Sequence, residues 1–340
     1  MRIKKVFYTL FTILLTLSLL MISSKVLKRK YSDNEYKRFY KYSSDYEVLF
    51  FGPSVVHYSI SPMQLWNDYG ITSYNMANDS ERLTMTYFDI VNSLDYCSPK
   101  LIVVDLNAMA WAGSKRDKTL KDHNFLDAVP FSTNKIKEIV EVFEKDEYIE
   151  YLVPFTLYHS RWNELGKEDF EIDNNVMYGL MPQQGILSIQ TPTDDQYEES
   201  RFGKVNEEAE VIDDIIDLCN SNNIDLVFIY LPSGIRGGDQ KLREYCNEIL
   251  SGKGVPYVDM LHMESIEYNR DFCDAVHLNI FGSQKVTDYI GDYIISNYEL
   301  TDYRQNVDYS ERWGNNYFEY KEIVSEMMHE NYEEYNSLAR

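Results

Sequence analysis

Residues 47–54 read Glu-Val-Leu-Phe-Phe-Gly-Pro-Ser, a short apolar run broken by a glycine and a proline that delivers a serine. An apolar, partly aromatic run cut off by Gly52-Pro53 has the pattern of a buried strand entering a tight loop. Downstream, Lys100–Leu106 (KLIVVDL) and Ile224–Leu231 (IDLVFIYL) are near-continuous apolar runs of the same kind, and Ile71–Met76 and Val255–Val258 are shorter ones. Continuous hydrophobicity suits strands covered on both faces. Helical spacing falls between them, over Leu83–Leu94, Glu207–Cys219 and Phe281–Ile295. Strands alternating with helices predict a parallel sheet with helices on both faces and its ligands at the strand ends.

Outward from this frame, the first thirty residues have a different composition. Arg2, Lys4 and Lys5 precede an uncharged run from Val6 to Ile22, and Lys25, Lys28, Arg29 and Lys30 follow it. The run reaches the lower length of a membrane-spanning helix. A cleaved signal peptide is the competing reading; the lack of an A-x-A site and the basic cluster immediately beyond favour an uncleaved anchor. Residues 1–30 are therefore expected to be a membrane anchor, 31–46 a polar, Tyr-rich linker, and 47–298 the globular domain. An insertion at 108–206, mixed and acidic, is expected to cover the active-site edge, because it is too long for one crossover. The acidic tail 299–340 has helical spacing over Tyr317–Leu338, as in a peripheral or partner-binding helix.

With 340 residues and 44% hydrophobic content, the chain is large enough to bury a full core without disulfide staples. Lys+Arg 33 against Asp+Glu 55 gives a formal charge of −22, which repels phosphate backbones and argues against nucleic-acid binding. Cys97, Cys219, Cys246 and Cys273 form no CxxC pair and no zinc-like Cys/His spacing, so no metal is expected. No G-x-x-x-x-G-K-[ST] or G-x-G-x-x-G loop is present, so no nucleotide cofactor is expected either.

Ser54 stands at the exit of the first predicted strand. A serine hydroxyl is a poor nucleophile until a base takes its proton. A candidate base lies in Asp274-Ala275-Val276-His277-Leu278-Asn279, followed by Gly282 and a helix. An aspartate three residues before a histidine can fold back onto one imidazole nitrogen and leave the other to face the serine. The alternative is a turn-forming Asp274 and a core histidine.

These two blocks, FFGPSVVHYSISP and DAVHLNIFGSQKVTDYI, resemble the SGNH/GDSL hydrolase superfamily over roughly residues 47–298. The resemblance implies a flavodoxin-like three-layer α/β/α sandwich of the SGNH hydrolase type, with Ser54 as nucleophile, His277 as base and Asp274 as the orienting carboxylate. The two middle blocks depart from the family pattern of a glycine N–H and an asparagine side chain as oxyanion donors. Ala77, in Asn75-Met76-Ala77-Asn78, and Asn107, in Asp105-Leu106-Asn107, stand in their places. Tyr158-His159-Ser160-Arg161-Trp162 is similar to a segment of the membrane-anchored members, so His159, Arg161 and Trp162 become candidates for substrate binding; a structural Arg161 is the alternative.

The membrane-anchored bacterial members that the chain looks most like are similar to teichoic acid D-alanylation and alginate-type O-acetylation proteins. That likeness implies a single-pass cell-membrane protein with its globular part extracytoplasmic. It would transfer or remove a small acyl group, acetyl or similar, on a cell-surface polysaccharide, beside a membrane-bound O-acyltransferase. The positive-inside rule points the other way, since the more basic flank is the C-terminal one. A secreted carbohydrate esterase and a non-catalytic glycan-binding scaffold are the alternatives.

Overall fold

The computed structural model describes residues 2–28, 33–112, 123, 126–170, 176–189, 202–234 and 239–338. The chain divides into two compact units, Met1–Lys37 with Lys118–Asn174, and Arg38–Asp117 with Asn175–Arg340.

The second unit holds a five-stranded, all-parallel sheet of β1 (Val48–Pro53), β2 (Ser73–Asn78), β3 (Leu101–Asp105), β4 (Asp225–Tyr230) and β5 (Tyr257–Asp259), in the order β2-β1-β3-β4-β5. Each predicted run became a strand with its ends moved by one to a few residues. Residues two apart point to the same face. Val48, Phe50, Ala77, Leu101, Val103, Val227 and Ile229 line one face, and they pack on Val56, Ile60, Leu65, Val286, Ile290 and Ile294. That layer consists of the helices Ser54–Ser59, Pro62–Tyr69 and Ile280–Asn297. The other face is left to Leu83–Leu94 and Phe202–Ser221, which pack on each other, and to Asp239–Leu250, which packs on β5. The expected three-layer α/β/α sandwich is the observed fold.

Three expectations change. The residues expected to form a linker include the helix Asp33–Tyr42 and a turn at Ser43–Asp45, with Phe39 and Tyr46 buried in an aromatic cluster. In that cluster Trp313 stacks on Tyr178 with centroids 4.4 Å apart, and Tyr46 lies 5.1 Å from Tyr74. Tyrosine-rich sequence reads as polar, but rings bury most of their area and need only one partner each for their hydroxyls. The C-terminal helix starts at Val307, ten residues earlier than its clearest periodicity, and runs to Leu338. It buries Trp313, Tyr320 and Val324 against the domain. Finally, the insertion is not one element: its described residues 123 and 126–170 cluster with the N-terminal helix Arg2–Leu27, 176–189 belong to the sheet unit, and 190–201 lie outside the described residues.

In the first unit, that N-terminal helix carries a 25-residue apolar stretch, Ile3–Leu27, of mean hydropathy 2.1 with no part of its apolar window buried. Length and composition suffice to cross a membrane. The helices Thr133–Val142, Tyr148–Leu152 and Phe155–Tyr158 and the turn His159–Asn163 accompany it.

Candidate active site

The strand order turns at β1, which has β2 on one side and β3 on the other, and chain connections leave that point in opposite directions. Open α/β sheets bind ligands at such a switch point, outside the carboxyl ends of the strands. Ser54 is the residue that follows β1.

Gly52 and Pro53 shape the approach. Gly52 has φ +144, and a Cβ there would lie 2.9 Å from Asp105 Cβ, so β1 and the end of β3 close on each other only because residue 52 lacks a side chain. Pro53, extended at φ −73 and ψ −176, has no N–H to satisfy and hands the chain to the helix Ser54–Ser59. That short helix is pinned by side chains at its far end. The His57 ring lies 2.6 Å from Gly179 O through Nδ1 and 2.7 Å from Ala77 O through Nε2, and Asn75 Nδ2 donates to Ile60 O at 2.8 Å.

Ser54 is 6% exposed, and its Oγ is 2.8 Å from His277 Nε2. His277 Nδ1 is 2.8 Å from Asp274 Oδ2. The other carboxylate oxygen, Oδ1, accepts from the backbone N–H groups of Val276 and His277, both at 2.7 Å. A carboxylate only accepts, so Nδ1 carries the proton toward Asp274 and the Nε2 lone pair faces the serine hydroxyl. The three residues form a serine–histidine–aspartate relay. Partial burial raises the proton affinity of Asp274, but the bonds from the His277 ring and from the two N–H groups outweigh it and hold the carboxyl below its usual range.

Two neighbours not singled out from sequence complete the setting of His277. The Tyr58 ring lies against the imidazole at 4.2 Å, tilted by 32°. Gly234, in the loop after β4, donates its N–H to Val276 O at 2.9 Å, and a Cβ at 234 would fall 1.7 Å from Ala275 O. The Asp274–His277 turn thus rests directly on bare backbone. Beyond it, Asn279 caps the helix Ile280–Asn297 by accepting from Phe281 N and Gly282 N, while its Nδ2 donates to Arg270 O at 2.7 Å and Gly185 O at 2.9 Å. Gly282 is required because a Cβ would meet Asp271 O at 2.6 Å. The DxxHLNxxG spacing is therefore explained residue by residue: relay, core, cap and close approach.

The expected oxyanion donors are placed differently from the expectation. Both hydrogens of Asn107 Nδ2 are occupied, by Asp105 Oδ1 at 2.9 Å and Leu231 O at 3.1 Å, so the side chain ties β3 to β4. Ala77 is fully buried within β2, two residues after Asn75, whose N–H bonds Tyr178 O on the outer edge of the sheet. By strand alternation the Ala77 N–H faces that same outer edge, away from β1. His159, Arg161 and Trp162 belong to the first unit, and the Arg161 guanidinium is engaged there: Nη1 donates to Leu27 O at 2.6 Å and Nη2 to Asp169 Oδ1 at 2.9 Å. Among the described residues no cluster suited to a metal occurs. Cys273, beside Asp274, is pushed up to about 12 by burial and then by the Asp274 charge, so its thiol stays protonated at neutral pH.

No family model matches the chain, and no curated protein does. Similar solved structures include a Bacteroides fragilis protein described as an acylhydrolase, with 12% identity over 79% of this chain and 99% of that one and a TM-score of 0.39. A GDSL-like lipase from Bacteroides thetaiotaomicron matches at 11% identity over 78% and 100%, TM-score 0.39. A Streptococcus pneumoniae protein described as a platelet activating factor matches at 14% over 83% and 98%, TM-score 0.41.

Proposed function

We propose that the chain is an SGNH-type serine esterase or O-acyltransferase that moves a small acyl group, acetyl or similar, on a cell-surface glycan through an acyl-Ser54 intermediate. The observation that carries this reading is the unbroken chain from Asp274 through His277 to Ser54 Oγ at 2.8 Å per link. As Oγ attacks the ester carbonyl carbon, Nε2 takes the hydroxyl proton, and the imidazolium is held by Asp274. The same proton then goes to the departing alkoxide, leaving Ser54 acylated. Water releases the acyl group as acid, and a glycan hydroxyl instead would accept it, with His277 taking the incoming proton in either case.

The apolar N-terminal helix supports a single-pass anchor, and chemistry on a cell-surface glycan calls for the globular part to lie outside the cytoplasm. A multi-span O-acyltransferase partner would bring the acyl group across the membrane, since the sequence carries no nucleotide or coenzyme loop. A membrane-impermeant fluorophosphonate tests nucleophile and topology together: intact spheroplasts should be labelled at Ser54, and Ser54→Ala should abolish the label. Labelling only after lysis would reverse the topology, and no label on lysed, folded protein would remove Ser54 as nucleophile. Efficient acylation of polymer by the purified chain from a soluble donor, without a membrane fraction, would remove the partner.

A further inference from the structure

The end of the N-terminal helix behaves unlike the rest of it. Residues 3–19, Met21 and Ile22 are exposed, but Ser24 and Leu27 are buried, and three contacts fasten this last turn to the insertion within the same unit. Phe155 N donates to Ser24 Oγ at 2.9 Å, Arg161 Nη1 to Leu27 O at 2.6 Å, and Lys28 Nζ to Asp127 O at 2.7 Å. Arg161 thereby satisfies a terminal carbonyl of the helix and sets a cation at its negative end. The helix Phe155–Tyr158 and the turn His159–Asn163 both pack along the N-terminal helix.

These contacts fix a depth. At about 1.5 Å per residue, roughly 30 Å of hydrocarbon takes up about 20 helical residues. A span that begins at Lys4 and Lys5 therefore ends near Ser24, and the Ser24–Phe155 bond holds Phe155 at the same level. In the adjoining turn Trp162 is 71% exposed, although it is the largest side chain there, and Leu152, three residues before Phe155, is also exposed. Tryptophan with an apolar body and one N–H is suited to the boundary between acyl chains and headgroups. Lys25, Lys28, Arg29 and Lys30 at the same end of the helix would add attraction to anionic headgroups, so zwitterionic lipid isolates the contribution of Trp162. We propose that the turn His159–Asn163 is an interfacial foot of this protein, with Trp162 inserted at the acyl–headgroup boundary of the bilayer around the end of the N-terminal helix. The inference rests on reading that helix as a membrane span, and it assigns Trp162 to lipid in place of substrate.

The test uses the full chain in zwitterionic phosphatidylcholine vesicles whose acyl chains are brominated near the headgroup or near the bilayer centre. Of the other tryptophans, all in the sheet unit, Trp66 and Trp313 are buried and Trp111 is half-buried, so the difference between the parent and Trp162→Phe isolates the exposed Trp162. Shallow bromines should quench the parent at least twofold more than Trp162→Phe, and more than deep bromines do. Equal quenching of parent and Trp162→Phe, in protein that resists alkaline carbonate extraction, would overturn the foot and leave the anchor standing; this is also the result if a second copy or another protein covers Trp162. Release of the chain by carbonate would overturn the anchor itself, and the foot with it.

Discussion

Asp274 grips its histidine from two directions, through the ring at Oδ2 and through the turn's own N–H groups at Oδ1. A group whose carboxyl is held below the usual range in the folded chain adds stability above the unfolded carboxylate value near pH 4, and loses it as pH falls through the depressed value. Asp274→Asn should therefore lower turnover of a small acetyl ester by about 10³–10⁴-fold, because the amide favours the wrong tautomer. Melting of the variant should also be less sensitive than the parent to acidification below about pH 4. Turnover within a few-fold of the parent would remove the relay from the mechanism. That Ser54, His277 and Asp274 could be hydrogen-bonded together was legible because the pattern is local: a serine at a strand exit, and an aspartate and a histidine three apart. Tyr58 and Gly234 were not, since the ring stacking on His277 and the backbone seat under Ala275 depend on segments that meet only in the fold.

Elements that lack a period were hardest to read. Residues 176–189 have two glycines, one proline and no alternation, yet they run along the outer edge of β2 and on to the relay turn. Asn75 N bonds Tyr178 O at 3.0 Å, Met181 N bonds His57 O at 2.7 Å, and Ile280 N bonds Gln183 O at 2.9 Å. Such a strap covers an otherwise open sheet edge and links the serine helix to the histidine turn. Tyr178 at φ +53 and Gly179 at φ +88 make the bend, and a Cβ on residue 179 would lie 2.3 Å from Asn75 O. The strands and their flanking helices, by contrast, were legible because burial on both faces leaves an unbroken apolar run. The contact between the β4 loop and the relay turn yields the element-scale prediction. Gly234→Ala must push Ala275 O away and break the bond to Val276 O. Ester turnover and fluorophosphonate labelling should both fall at least tenfold, while stability drops by about 1–3 kcal/mol as for other overpacked sites. Labelling at the parental rate would show that the relay turn does not depend on this seat.

At the scale of the molecule, the sheet unit is closed by residues from opposite ends of the sequence. Trp313 is fully buried, 4.4 Å from Tyr178 and 6.2 Å from Tyr46, while Arg38 lies over the Tyr178 ring at 4.4 Å. Trp313→Ala should cost about 3–5 kcal/mol, read as a lower denaturant midpoint; a change under about 1 kcal/mol would make the C-terminal helix a peripheral addition. The linker was misread from sequence because tyrosine counts as polar in a one-dimensional pattern, whereas here Phe39 and Tyr46 share one core with Tyr74, Tyr178 and Trp313. This closure also sets an order of events during synthesis. A chain made from its N-terminus presents Phe39, Tyr46 and β1 long before Trp313 exists, and His277 reaches Ser54 only after most of the sequence has appeared. Contacts so distant in sequence form late. The nascent domain thus keeps its aromatic surface uncovered until Trp313 emerges, and an exported chain would bring His277 to Ser54 only after residue 277 has crossed.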